Sequence, residues 1–264
     1  TGPCRQELLD APRSAEVSAV KPYYEDDLVT LYHGDCQEVL AAGVVPLVDM
    51  VFTSPPYNLG VSSGGGFADT RKYPDVKMGK WGGGGLAQGY EDHDDAMPLP
   101  EYEAWQRSVL AACWTQLTDQ GAIFYNHKPR VQDGVLWTPL TLTEGLPVRQ
   151  IVTWARAGGV NFAPTHYVPT YEWIVVVAKP AWRLKSKGAS GVGDLWRVAQ
   201  EPSKHPAPFP VGLPARAIES AAPAAVLDPW LGRPLRELID DDRGDASPLH
   251  HTRNGQPAQV AVAL

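Results

Sequence analysis

The sequence predicts an α/β domain built on a mostly parallel sheet with helices on both faces. Three observations carry that prediction. Apolar runs of strand length recur at 28–33, 48–52, 122–126, 149–154 and 172–179. Helical spacing falls between them, most clearly over 99–117. Several runs also stop at Gly, Pro or Asp, which end strands and open turns. Strands alternating with helices pack as a parallel sheet covered on both sides. The 264 residues, 44% of them hydrophobic, suffice for one sizeable domain, or one domain with a large insertion.

Composition excludes several function classes. A net charge of -7 argues against nucleic-acid binding by bulk charge, though not against local stripes of Lys and Arg. Cys4, Cys36 and Cys113 are odd in number and far apart, with no CxxC pair. Neither a zinc site nor a disulfide framework is expected, and a reducing cytoplasm is the natural setting. No apolar run is long enough to cross a membrane, and the polar, acidic start is no signal peptide. The 25 Gly and 25 Pro point to long loops.

Taken in order, residues 1–20 lack a period and read as a mobile arm. The first strand ends at Gly34-Asp35, and Asp35 can cap a short helix over 36–42. It can also serve a nucleoside-like ligand at the strand's carboxyl end, and the two roles are compatible. The strand 48–52 runs into Thr53-Ser54-Pro55-Pro56-Tyr57. Proline cannot donate to a sheet ladder, so the strand must stop there, and each proline holds the preceding residue extended. A stiff loop results. It offers a hydroxyl, carbonyls and an aromatic face, which together suit a planar heterocycle bearing an NH2 group.

Residues 60–100 form a long irregular insertion with two glycine runs, interleaving Arg71, Lys72, Lys77 and Lys80 with Phe67, Tyr73 and Trp81. Such a loop suits phosphate contact and closure, or is simply solvated surface. The helix over 99–117 starts at Pro100 and turns Trp105, Val109, Cys113 or Ala112, and Leu117 toward the core. A second αβ unit is expected from the apolar residues at 135–142 and the strand at 149–154. The loop holding His166 could face a substrate, but a lone loop histidine is a weak sign of a base. Residues 180–204 are the most basic stretch, with Arg183, Lys185, Lys187, Arg197, Lys204, Trp182 and Trp196; they form a DNA-contact surface or an exposed linker. A helix follows over 212–220.

The Ser54-Pro55-Pro56-Tyr57 loop resembles the catalytic Ser/Asp/Asn-Pro-Pro-aromatic motif of S-adenosylmethionine-dependent methyltransferases that modify exocyclic amines of DNA bases. Two further stretches are similar to that family's cofactor motifs: His205-Pro206-Ala207-Pro208-Phe209-Pro210, and Asp228-Pro229-Trp230-Leu231-Gly232. With the catalytic loop ahead of the cofactor motifs, the order resembles the permuted β class, and the likeness spans about residues 22–232. The resemblance implies a doubly wound, circularly permuted Rossmann-like methyltransferase sheet. It implies Ser54, Pro55, Pro56 and Tyr57 as catalytic residues. It implies Asp35, His205, Pro206, Phe209, Asp228, Trp230 and Gly232 at S-adenosyl-L-methionine, double-stranded DNA as substrate, a cognate restriction endonuclease as partner, and no metal. A Ser at the first motif position favours cytosine N4 slightly over adenine N6.

The likeness breaks after Gly232, where Arg233-Pro234 replaces small residues of the family's glycine loop. Residues 233–264 therefore read as an atypical tail with an incomplete last β-unit, in which only 259–264 could form a short strand. Two other functions fit the same residues. One is a DNA-binding remnant that no longer binds the cofactor. The other is methyl transfer to RNA or to protein amides.

Overall fold

The computed structural model describes residues 20–58, 97–156, 165–185, 188–200 and 210–230, and the backbone of Gln259–Ala263. The arm 1–19 and most of the 60–100 insertion lie outside the described residues. In chain order the strands are β1 (Tyr24–Glu25), β2 (Val29–Tyr32), β3 (Val48–Thr53), β4 (Leu117–His127), β5 (Arg130–Gln132), β6 (Val135–Trp137), β7 (Val148–Ala155), β8 (Tyr171–Ala178), β9 (Leu195–Arg197), β10 (Ala225–Asp228) and β11 (Gln259–Ala263). Among the described residues three α-helices accompany them: α1 (Cys36–Ala41), α2 (Leu99–Thr115) and α3 (Gly212–Ala221).

Nine strands form one sheet in the order β1-β2-β11-β10-β3-β4-β8-β7-β9. The pairs from β2 through β4, and β7 with β9, are parallel. The α/β class with a mostly parallel sheet therefore holds. β1 runs antiparallel to β2 at one edge, and β8 runs antiparallel to both β4 and β7. That reversal has a functional consequence: it brings the start of β8 to the edge where β3, β4, β7 and β10 end.

β3 and β4 are buried almost throughout because they lie inside the sheet with apolar cover on both faces. One face packs Val51, Ile123, Val175 and Leu227 against α1 and α2; the other packs Met50, Phe52, Phe124, Val176 and Val226 against α3. α2 buries Tyr102, Val109, Leu110 and Cys113, settling the Cys113-or-Ala112 alternative in favour of Cys113. Asp49 ties the strand starts together: its carboxylate accepts from Thr118 Oγ1 at 2.9 Å and from the Ala224 amide at 2.8 Å.

Three expectations need correction. Residues 135–142 do not make an αβ unit. They fold as a β5–β6 hairpin and a 3-10 turn at Pro139–Thr143, because Asp133 and Gly134 take left-handed φ values of 51° and 77°, the geometry of a two-residue hairpin turn. Trp196, expected on the exposed basic stretch, is buried. It sits on β9 at the sheet's edge, its indole N–H bonded to the Gly193 carbonyl at 3.0 Å. Finally, the short strand expected at 259–264 does form, as β11, so the last β-unit does not leave the sheet open. β11 lies parallel between β2 and β10, with Val260 opposite both Val29 and Val226. The sequence Gln-Val-Ala-Val-Ala is short but β-branched at alternate positions, enough to fill a central slot.

No helix among the described residues is long and apolar enough to cross a membrane. Cys36 and Cys113 are free and buried. Burial pushes the Cys36 thiol up to about 12 and raises Cys113 further, so neither is a ready thiolate.

Candidate active site

The carboxyl ends of β2, β10, β3, β4 and β7, and the start of β8, share one edge of the sheet. Open α/β sheets bind ligands at that edge. β3 ends at Thr53, and Ser54-Pro55-Pro56-Tyr57 leaves it as the prolines require. Pro55 and Pro56 are buried, whereas Ser54 and Tyr57 are partly exposed.

The loop is fastened from several sides. Tyr102 of α2 donates its hydroxyl to the Pro56 carbonyl at 2.8 Å, and the same oxygen lies 2.7 Å from His127 Nε2. Arg130 Nη1 donates to the Tyr57 carbonyl at 2.6 Å while its guanidinium stacks on Trp137, 4.4 Å from the ring centre. The Tyr57 ring packs on His127 with centroids 4.4 Å apart. Asn58 adopts φ 54°, a left-handed angle that Asn tolerates, and donates to the Met97 carbonyl at 2.9 Å.

Inside the loop runs a polar network. Ser54 Oγ and Tyr57 Oη are 3.0 Å apart. Tyr57 Oη donates to Glu172 Oε2 at 2.9 Å. Asn126 Nδ2 lies 2.7 Å from Tyr57 Oη, 3.2 Å from Glu172 Oε2 and 3.3 Å from Ser54 Oγ. Arg156 Nη1 closes the network on Glu172 Oε1 at 2.8 Å, a largely buried ion pair.

Charge at this edge departs from the acidic average. Arg156 pairs with Glu172, and Lys128 lies close enough to feel Glu172, Arg156 and Arg130. Burial lowers the Lys128 ammonium, Arg156 and Arg130 lower it further, and Glu172 opposes them. Burial pushes His127 down to about 3 with help from Arg130, so its imidazole is neutral.

β10 lies beside β3, with Leu227 opposite Val51, so Asp228-Pro229-Trp230 emerges next to the proline loop. Asp228 Oδ1 accepts the Trp230 amide at 3.0 Å. Burial raises the Asp228 carboxyl to about 7, against the pull of that amide and of the nearby Thr53 hydroxyl. Thr53 Oγ1 is itself buried, and beyond this approach to Asp228 it makes no well-formed hydrogen bond among the described residues. A ladder of rings joins the two loops: Trp230 meets Trp105 edge-on at 5.1 Å, Trp105 meets Tyr102 at 6.1 Å, and Tyr102 meets His127 at 6.2 Å.

Of the sequence-derived site residues, Ser54, Pro55, Pro56, Tyr57, Asp228 and Trp230 come together. Asp35 stands at the end of β2 and caps α1, accepting from the Gln37 and Glu38 amides. His205, Pro206, Phe209 and Gly232 lie outside the described residues. His166 contacts the Thr165 hydroxyl at 3.0 Å and has no part in the network. Sequence reasoning missed Tyr102, Asn126, His127, Lys128, Arg130, Arg156 and Glu172. A signal was present: Asn-His-Lys closes one apolar strand and Glu opens another, polar residues where a buried strand meets a ligand-binding edge.

Fold and site define a class, a Rossmann-like methyltransferase sheet with its polar groups at the carboxyl edge. Solved structures share the fold. PvuII DNA methyltransferase (cytosine-N4-specific) aligns over 92% of this chain and 84% of its own, with TM-score 0.60 and 16% identity. A DNA modification methylase from Thermus thermophilus, complexed with S-adenosyl-L-methionine, aligns over 88% and 86%, with TM-score 0.51 and 18% identity. Among sequence relatives, type II methyltransferase M.ScaI of Streptomyces caespitosus is 28% identical over 86% of this chain and 78% of its own length. Type II methyltransferase M2.MboI of Moraxella bovis is 24% identical over 81% and 80%. The DNA methylase profile of N6 and N4 methyltransferases matches residues 48–233. The chain belongs to this family: it is an S-adenosylmethionine-dependent DNA amino-methyltransferase, of the cytosine-N4 or adenine-N6 kind.

Proposed function

We propose that this chain methylates the exocyclic amine of a base flipped out of duplex DNA, with cytosine N4 the favoured target and adenine N6 the other. The observation that carries the reading is the adjacency of two strand ends. Ser54-Pro55-Pro56-Tyr57 closes β3, and Asp228-Pro229-Trp230 closes its neighbour β10. One presents an amine acceptor and an aromatic ring. The other presents an acid, an aromatic ring and, next to it, a buried hydroxyl whose hydrogen bonding is incomplete.

Those groups fit S-adenosyl-L-methionine. Asp228 and Trp230 would hold it, together with Asp35, His205, Pro206, Phe209 and Gly232 on the strength of their sequence match. When bound, it supplies an electrophilic methyl group. The protein's own residues do the rest. Tyr57 stacks on the base. Ser54 Oγ and the Pro55 carbonyl accept the two amine N–H groups, which fixes the direction of the nitrogen lone pair. Lys128 and Arg130 set a positive edge for phosphates beside the flipped nucleotide. Residues 21–232 act as one methyltransferase domain in this reading, and a restriction endonuclease of the same site specificity is its partner. The remnant alternative rests on Arg233-Pro234 in the glycine loop and on an unfilled last β-unit; β11 occupies that slot, and cofactor calorimetry tests the loop.

The test is incubation with duplex DNA and S-adenosylmethionine labelled on its methyl group, beside calorimetry with the unlabelled cofactor. Heat of binding and label in the DNA are expected. A folded protein that binds no cofactor and labels no DNA would overturn the reading.

A further inference from the structure

We infer that Glu172, held by Arg156, is the positioning residue that makes Ser54 an obligate hydrogen-bond acceptor. The inference rests on the proposed methylation of an exocyclic amine and adds how the acceptor is prepared.

The argument counts protons. An ionised carboxylate only accepts, and a hydroxyl has one proton to give. Tyr57 gives its proton to Glu172 Oε2 at 2.9 Å. The 3.0 Å contact between Ser54 Oγ and Tyr57 Oη can then be made only by the Ser54 proton. Ser54 is left with lone pairs. The two Asn126 Nδ2 hydrogens lie nearest Tyr57 Oη at 2.7 Å and Glu172 Oε2 at 3.2 Å and approach Ser54 Oγ at 3.3 Å, so a Ser54 lone pair remains for an amine N–H. Glu172 also fixes the Asn126 amide: a carboxylate oxygen 3.2 Å away demands the NH2 side, not the carbonyl. Arg156 in turn occupies Oε1 at 2.8 Å and holds the carboxylate in place. The Tyr57 and Ser54 protons are thus both committed within the network, and a group that donates hydrogens to Ser54, an amine, meets an acceptor. A carbonyl at the same position of the base would meet lone pair against lone pair.

The geometry therefore predicts selection of amine over carbonyl at the target. The test first locates the methylated base by sequencing DNA exposed to the enzyme. Duplexes are then made with the target amine or with its carbonyl counterpart (uracil for cytosine, hypoxanthine for adenine), and binding is compared in the presence of S-adenosylhomocysteine. The wild-type chain should favour the amine duplex by about tenfold, the scale of one satisfied against one opposed hydrogen bond. Tyr57→Phe keeps the ring but removes the relay, so it should bring that preference to about twofold or less and slow single-turnover transfer about tenfold. Glu172→Gln should do the same, and the double variant should be no worse than either single one. Should Glu172→Gln fail to fold, Tyr57→Phe decides alone. A Tyr57→Phe chain with wild-type amine preference and transfer rate overturns the inference while leaving the methyltransferase reading intact. Absence of transfer by the wild-type chain overturns both.

Discussion

The two halves of the site are built differently. At the ends of β3 and β4, Ser54, Tyr57, Asn126, Glu172 and Arg156 form one continuous network, in which Asn126 Oδ1 and Arg156 Nε have no hydrogen-bond partner among the described residues. At the end of β10, burial pushes the Asp228 carboxyl to about 7 despite the Trp230 amide and the Thr53 hydroxyl of neighbouring β3. The first half is set before any ligand arrives. The second holds its acid by burial, one amide and one neighbouring hydroxyl rather than by a side-chain network. That contrast follows from the tasks. An amine must be aimed to within a fraction of an ångström, so its acceptors are preorganised. A cofactor that comes and goes needs groups whose satisfaction contributes to its binding.

Substitutions can break this contrast from either side. The largest effect is expected at Ser54→Ala, which should slow single-turnover transfer by about a hundredfold or more while DNA affinity stays within about threefold. Asp228→Ala should weaken cofactor affinity in calorimetry by about tenfold and leave DNA affinity alone. If it instead weakened DNA binding and spared the cofactor, the two halves would have been assigned the wrong way round.

A smaller effect is expected in stability against pH. His127 is lowered from 6.5 to about 3, so its contribution is lost as pH falls from 6.5 toward 3. Asp228 is raised from 3.8 to about 7, so its contribution is lost as pH rises from 3.8 through 7. Between pH 3.8 and 6.5 the two oppose each other. Asp228→Asn should remove one and leave stability climbing with pH across that window, as denaturant midpoints would read. The smallest effect is expected on the exposed stretch near 183–185. Arg183→Ala with Lys185→Ala should lower the salt slope of DNA binding by about one for each phosphate that the pair neutralises, with no change in transfer at saturating DNA.

How much of this was legible beforehand follows the same divide between local and distant. The proline loop could be read because Pro55 and Pro56 dictate their own geometry. Asp35 could be read as a cap, since capping spans only three residues. Helix α2 announced itself by Pro100 and its spacing. Glu172 could not be read. It reaches Tyr57 only because β8 runs antiparallel to β4, a pairing of residues about fifty apart that no local pattern encodes. The hairpin at Asp133-Gly134 was legible in principle, since that dipeptide favours such turns, but the apolar residues after it imitate a helix. Trp196 read as surface because its neighbours are charged. A three-residue edge strand needs only one buried position, and Trp196 supplies it.

The central claim is that a stiff loop at one strand end and an acidic, aromatic loop at the next serve nitrogen methylation of a DNA base. The most direct measurement is digestion of DNA treated with the protein and methyl-labelled S-adenosylmethionine, followed by separation of the labelled nucleosides. The account predicts label in N4-methylcytosine or N6-methyladenine. Label on a ring carbon, or none from a folded protein that binds the cofactor, would contradict it.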